Sequence, residues 1–391
     1  MLTAERRKNI LWLVSWYPNK TDCFTGDFIQ RHAQAAALQN NIHVLFVKDV
    51  PDNEVDSYTL QEQYGLTEEI IYYSTPKGKT NIFTKHTRWF QLHVKAIRTY
   101  IQLNGKPDLV HVHVPWKAGL IAVWLKWSYG VPYVVTEHWG MYNRVVEDNF
   151  FKKPLFVQFL IKRIFKSSNH FISVSQYLSK SIHHWIRKTP VTIIPNVVNT
   201  KLFHYATQKH ETFTFIHVSN MAPVKNVTGL LRSFKKFIEN VPSGAVQLVV
   251  IGNTTEEYPL LAAKEGLGKQ VLFKGEISYQ QVAEEMKLAH CLVLNSFIEN
   301  SPCVISEAHC CGLPVIATDV GGVPELINKS NGLLVAPNDE AALAKGFLNI
   351  FSNYHSFNTL HIAEVAAHKY SYSSIGSQFD AVYNEVVKAV I

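Results

Sequence analysis

Two glutamates eight positions apart, Glu299 and Glu307, lie in the stretch FIENSPCVISEAHCCGLPVIATDVGGVPELI that runs from Phe297 to Ile327. Its residue types read in order as a strand end, an acidic loop, a helix, a second strand and a Gly-Gly turn. Glu299 falls in the loop after a strand that ends near Asn295. Glu307 falls about a turn and a half into a helix that Ser301 and Pro302 begin, a Ser followed by Pro being a good helix start. A start such as Ser301-Pro302-Cys303-Val304 offers unpaired backbone N–H groups and a positive dipole end, which suit a diphosphate. Ribose and hexose are both rich in adjacent hydroxyls, so one carboxylate can hold each, with the phosphates between them. Two isolated glutamates are by default solvated surface acids, so the weight rests on their context.

A second constellation is HVSNMAPVKN, from His217 to Asn226, where a strand ends at Ser219 and Lys225 arrives as the next helix opens. A lysine in that place reaches a phosphate. In the first half, Gly26 precedes the helix that begins Asp27-Phe28-Ile29. It serves either as a simple turn or as a point of close backbone approach to a ligand. The strand 133–137 ends in Thr136-Glu137-His138-Trp139-Gly140, which puts His138 at the edge where open parallel sheets bind ligands. A histidine that merely caps the strand is the competing reading in a chain with 18 of them. His111 and His113 alternate to one face of the strand 108–114 and read as structural or acceptor-side. No third ligand at zinc spacing accompanies them, and no metal is expected.

The stretch 297–327 resembles the carboxyl-terminal signature of the retaining glycosyltransferases of family 4 (glycosyl transferases group 1), whose two glutamates have the same spacing. The resemblance follows the order of motifs along about the whole chain and is strong between roughly 290 and 340. It implies a GT-B fold, that is, α/β with two Rossmann-like, doubly wound parallel-sheet domains facing across a cleft. It also implies that Glu299 lies beside the donor sugar, Glu307 binds the ribose, Lys225 contacts the donor diphosphate and His138 lies near the transferred sugar. Gly26 resembles the family's Gly-rich loop in reduced form. Pro302 and the Gly321-Gly322-Val323-Pro324-Glu325 turn match the pattern. Two places depart from it: the Arg usually five positions before the lysine is Asn220, and the Gly and Phe usually after the first glutamate are Asn300 and Ser301. Either donor binding is weaker or another basic group replaces the missing charge, and sugar selectivity is left open.

The expected reaction is transfer of a hexose-type sugar, with retention, from a UDP-type or GDP-type nucleoside diphosphate donor to a hydroxyl of a glycan or lipid-linked acceptor. Glu299 and His138 are the expected catalytic residues. Gly26, Asn220, Lys225, Ser301, Pro302, Cys303, Val304 and Glu307 are the expected donor contacts. No cofactor is expected beyond the donor itself. Same-face attack is favoured, with a nucleophilic role for Glu137 left open. The rival readings are a non-catalytic scaffold or binding subunit whose donor site has decayed, and a sugar-nucleotide epimerase or hydrolase.

Positioning such residues requires strand ends. Short apolar runs alternate with helix-length segments, the pattern of parallel sheets covered by helices. The runs predict strands near 10–16, 42–47, 69–74, 108–114, 132–137, 170–174 and 191–194 in the first half. In the second half they predict strands near 213–219, 246–251, 270–273, 291–295, 314–317 and 332–335. The Pro195-Asn196 pair marks a turn, giving domains at 1–197 and 198–370. The final segment, about 371–391, has helical apolar spacing and is expected to pack back on the first domain.

A chain of 391 residues, 47% apolar, buries a large core as about two or three domains. No apolar run approaches the roughly 18 residues needed to span a bilayer. Arg6, Arg7 and Lys8 before an apolar stretch imitate a secretory signal, but Trp16, Tyr17 and Pro18 follow without a small-residue cleavage site. Five cysteines without a CxxC pair read as reduced thiols in a cytoplasmic protein. Residues 1–200 hold 24 Lys and Arg against 14 Asp and Glu, whereas residues 201–391 hold 14 against 17. No nucleic-acid-binding pattern accompanies the basic half, which excludes that class of partner and favours a phosphorylated acceptor or the inner face of an anionic membrane. Two stretches, Lys85 to Arg98 and Phe151 to Lys166, mix cations with large apolar groups and read as either core-packed amphipathic helices or surface anchors.

Overall fold

A computed structural model of the chain describes residues 6–50, 57–74, 82–144, 146–185 and 189–389. Contacts divide them into two units. The first holds the chain through Pro195 and again from Tyr372, and the second holds Asn196–Ser371.

The first unit is built on β1 (Asn9–Val14), β2 (Asn41–Val50), β3 (Ser57–Gln63), β4 (Leu66–Ser74), β5 (Leu109–His113), β6 (Tyr133–Glu137), β7 (His170–Ser173) and β8 (Val191–Ile193). Its strand order is β3-β4-β2-β1-β5-β6-β7-β8, and every pairing is parallel except β3 with β4. The helices are α1 (Asp27–Ala36), α2 (Ile82–Asn104), α3 (Ala118–Tyr129), α4 (Leu155–Ser167) and α5 (Gln176–His183). Seven of the eight strands sit where the apolar runs place them. The exception, β3, is a polar hairpin arm exposed along its length, closed by Tyr64 and Gly65, both at positive φ. It buries nothing, so it leaves no apolar alternation to read.

The second unit carries β9 (Phe213–Val218), β10 (Val246–Ile251), β11 (Val271–Gly275), β12 (Cys291–Leu294), β13 (Val315–Thr318) and β14 (Gly332–Val335). Its sheet is wholly parallel in the order β11-β10-β9-β12-β13-β14. Helices α6 (Val227–Ile238), α7 (Glu257–Lys264), α8 (Tyr279–Leu288), α9 (Cys303–Cys310), α10 (Glu340–Asn353) and α11 (Thr359–Tyr370) cover it. Strands such as Cys291-Leu292-Val293-Leu294 are apolar throughout because both faces are buried, as a helix-covered parallel sheet requires. In each sheet the order reverses once, between β1 and β5 and between β9 and β12. Connections leave these neighbouring strands toward opposite faces and open a crevice at their carboxyl ends.

The last helix, α12 (Tyr372–Lys388), belongs to the first unit and packs on α1. Asp380 accepts from Lys8 Nζ and Asn40 Nδ2 at 3.1 Å each, and the Tyr383 hydroxyl lies 2.6 Å from His111 Nδ1. Gly376 allows the contact, since a Cβ there would fall 2.3 Å from the Ala35 carbonyl oxygen. Overpacking of this kind costs about 1–3 kcal/mol. Gly376→Ala is therefore expected to lower the unfolding temperature of the first unit by roughly 2–10 °C in calorimetry, and an unchanged transition would contradict this docking.

Candidate active site

In the second unit the reversal point brings Lys225 and Glu299 together. Lys225 ends the single 3-10 turn after β9, and Glu299 lies in the loop after β12. Lys225 Nζ is 2.5 Å from Glu299 Oε1, and Ser296 Oγ donates to the same oxygen at 2.7 Å. The two side chains keep 19% and 9% of their exposure, so the cation stays reachable while its partner is held. Two further bonds join the loops: Phe297 N donates to Val224 O at 2.7 Å, and Asn295 Nδ2 to Asn226 O at 3.2 Å.

The Gly-Gly turn holds the glutamate's backbone. Gly321 adopts φ +56°, and a Cβ on it would fall 1.8 Å from Glu299 O; Gly322 N donates to that same oxygen at 3.1 Å. In sequence this turn matches the family's pattern and reads as a plain strand-to-helix connection or a ligand contact. Its link to Glu299 emerges only when β12 and β13 lie side by side.

Helix α9 begins at Cys303 with Pro302 as its cap residue. Ser301 does not cap it with its side chain; instead the Ser301 carbonyl accepts from Asn196 Nδ2 at 2.9 Å. The first-turn amides, Cys303 and Val304, have no intrahelical acceptor, as at any helix start. Glu307, the fifth residue of α9, is buried, with Oε1 accepting from the Tyr279 hydroxyl at 2.7 Å. Tyr279 is absent from the expected site residues, and no local motif marks it: it opens α8, 28 positions upstream of its partner. Asn220 is exposed, and its Oδ1 accepts from Ala222 N at 3.2 Å, so its carbonyl shapes the turn that delivers Lys225.

In the first unit, Gly26 sits at φ +79° at the start of α1, where a Cβ would fall 2.7 Å from the backbone of Trp16 and Tyr17. Its need for glycine is thus met by packing against the loop after β1. His138 follows β6 and is 9% exposed. Its orientation depends on Glu137, whose Oε1 accepts from His138 N and Trp139 N at 2.8 and 2.9 Å, while Oε2 accepts from the Tyr142 hydroxyl at 2.9 Å. Burial pushes the Glu137 carboxyl up to about 7, opposed by those hydrogen bonds. The carboxylate is thus engaged with its own turn.

His138 Nε2 lies 3.1 Å from His113 Nδ1, and the His32 ring lies tilted beside both, its centroid 6.3 Å from that of His113 and 5.4 Å from that of His138. Sequence spacing shows no third partner for the His111/His113 pair, but the fold brings His32, His113 and His138 together with ring nitrogens within 4.8 Å. This all-imidazole group has the geometry to hold a transition-metal ion. Burial lowers His113 well below the usual range and His32 to about 3.

Two protein-family profiles match the chain: Glycosyltransferase Family 4 over residues 35–202 and Glycosyl transferases group 1 over residues 200–366. The chain belongs to glycosyltransferase family 4. It is 23% identical to the putative teichuronic acid biosynthesis glycosyltransferase TuaC of Bacillus subtilis, over 96% of this chain and 95% of that one. It is 28% identical to the N-acetyl-alpha-D-glucosaminyl L-malate synthase of Bacillus anthracis, over 44% and 45%. Among solved structures it superposes on the sucrose-phosphate synthase of Thermosynechococcus elongatus with a TM-score of 0.77, 20% identity and coverage of 98% and 100%. On Anabaena HepE in complex with UDP it gives 0.72, with 16% identity and coverage of 96% and 100%. The glycosyltransferase thus has the GT-B fold, and both halves of its sequence carry the family.

Because Gly321 sets the Glu299 loop, Gly321→Ala in this glycosyltransferase is expected to weaken nucleoside diphosphate binding at least tenfold in calorimetric titration, about 1.4 kcal/mol. Gly244 is the control, since it too has a positive φ but a methyl group added there would meet no atom within 4 Å. Gly244→Ala is expected to bind as the wild type does. Equal binding by both variants would contradict the clamp.

Proposed function

We propose that this glycosyltransferase moves a hexose-type sugar, with retention of anomeric configuration, from a UDP-type or GDP-type donor to a hydroxyl of a glycan or lipid-linked acceptor in polysaccharide or glycoconjugate assembly. The observation that carries the reading is the meeting of Lys225 and Glu299 at the reversal point of the second sheet, beside the start of α9. A cation and a helix N-terminus at one strand end match a diphosphate, and buried carboxylates match sugar hydroxyls. Anabaena HepE forms complexes with UDP, with UDP and glucose, and with UDP-glucose, and the name of TuaC places it in teichuronic acid biosynthesis; both support the donor class and the kind of product.

In this reading Lys225 and the α9 amides balance the charge that grows on the leaving diphosphate, Glu307 holds the ribose and Glu299 fixes the sugar ring. The acceptor oxygen bonds to the anomeric carbon as the bond to the diphosphate breaks. The electron pair leaves with the phosphate oxygen, which takes the acceptor proton on the same face. His138 is assigned to a hydroxyl of the transferred sugar. Glu137 is assigned to positioning His138, since its oxygens are already engaged. No metal is assigned to the reaction. The basic charge of the first half fits a phosphorylated or anionic acceptor on the cytoplasmic face.

Asn220, in place of a second cation, keeps a non-catalytic scaffold or binding subunit with a decayed donor site as the rival reading. The test is thermal unfolding with UDP, GDP, ADP and their sugar conjugates in the presence of EDTA, comparing the wild type with Lys225→Ala. A ligand at about a hundredfold its dissociation constant stabilises by about 2.7 kcal/mol, or roughly 5–10 °C here. The expected outcome is a shift with one nucleotide class that Lys225→Ala abolishes. No shift with any nucleotide would overturn the donor site. Sugar release without any acceptor would indicate a hydrolase.

A further inference from the structure

Helices α2, α3 and α4 lie side by side on the first unit's sheet, and their sequences hold eight Lys and Arg and no Asp or Glu. The chain is free of acidic residues from 70 to 107 and again from 149 to 210. Such a layer on a water-soluble surface would ordinarily show polar residues outward. This one does not. On α3 Trp127 is 73% exposed, and Leu120, Val123 and Trp124, at helical period on the same side, are half-buried against the core. The polar groups of α3 are few, and Lys126 turns inward, donating to Ser167 O and Asn169 Oδ1.

On α4 the inward face is Val157, Ile161, Ile164 and Phe165, which leaves Leu155, Phe156 and Phe159 exposed by 82%, 66% and 66%. Phe156, Phe159, Arg163 and Lys166 continue along that outer face, apolar first and cationic after. The helices join into one surface: the Arg163 guanidinium lies 5.9 Å from the Trp127 ring, and Phe90 of α2 meets Trp124 edge-on at 6.3 Å. Lys95 and Arg98 stand on the outward side of α2.

From this arrangement we infer that the outer face of α2, α3 and α4 docks on an anionic lipid bilayer, with Trp127, Leu155, Phe156 and Phe159 entering the headgroup boundary. Arg163, Lys166, Lys95 and Arg98 would lie among the anionic headgroups. No helix among the described residues is long and apolar enough to cross a membrane, so attachment is to one face of the bilayer. Charge complementarity selects the occupant: exposed Trp127, Leu155, Phe156 and Phe159 flanked by cations, with no acidic residue on these helices, match an anionic lipid surface. The inference uses none of the donor-site residues, so vesicle binding and nucleotide binding are read separately, and either can fail alone.

The experiment is co-sedimentation of the full chain with vesicles of 30% phosphatidylglycerol in phosphatidylcholine and with vesicles of phosphatidylcholine alone, at low and high salt. The wild type is expected to partition at least tenfold more strongly onto the anionic vesicles and to be weakened by salt. A variant combining Trp127→Ser, Phe156→Ser and Phe159→Ser is expected to lose at least tenfold in partition while keeping its nucleotide-induced thermal shift. Leu260→Ser, at an exposed apolar residue of the second unit, is expected to bind vesicles as the wild type does. Unchanged sedimentation of the triple variant, or no preference of the wild type for anionic vesicles, would overturn the proposal. So would a dimer in sedimentation velocity that the triple variant abolishes, which would make the face a protein interface.

Discussion

Lys225 and Glu299, 2.5 Å apart with most of their surface covered, form a pair that neither residue could sustain alone. Burying a charge is costly unless a partner and further hydrogen bonds accompany it, and such pairs contribute little net stability even then. The surroundings of this one are therefore read as a means of holding two side chains in place. Ser296 supplies the second hydrogen bond, the Phe297 to Val224 link fixes the distance between loops, and Gly321 admits the Glu299 backbone to a place no Cβ could share. All of this follows from β9 and β12 being neighbours whose connections diverge.

The first unit solves a related problem with neutral groups. His32, His111 and His113 are fully buried, and desolvation keeps each below its usual range. Their hydrogen bonds go to the Pro195 carbonyl, Thr136 and His138, and to α12, whose Tyr383 meets His111 and whose Phe379 packs on Trp12. The carboxyl-terminal helix thus supports the strand ends from beneath. His138, at the rim of the cluster, takes its position from Glu137 on one side and from His113 on the other.

Much of the fold is legible because parallel strands covered by helices write themselves as apolar runs, and every strand but β3 coincides with such a run. The hairpin arm β3 is not legible, since only Tyr58 and Leu60 interrupt its polar residues and both stay exposed. The site is legible where its parts lie close in sequence, as with Glu299 and Glu307, or follow a strand end, as with Lys225 and His138. What escapes are contacts made by tertiary closure. Tyr279 reaches Glu307 from another helix, Gly321 reaches Glu299 from the next strand, and His32 joins His113 from a helix far along the chain. Ser301, expected to open α9 as its cap, instead offers its carbonyl to Asn196, because Pro302 holds the cap place with extended backbone. In α4 the pattern alone does not separate a core face from an exposed one, since both carry large apolar residues.

The central claim is that the diphosphate of a nucleotide sugar sits at Lys225 and the start of α9, with Glu299 beside the sugar. Hydrogen–deuterium exchange of the full chain, with and without the nucleotide that shifts its unfolding, tests this at the level of single segments. The account expects slowed exchange in peptides covering 223–227 and 299–307, with the far edge of the same sheet around β14 unaffected. Protection absent from both segments, with nucleotide demonstrably bound, would contradict it.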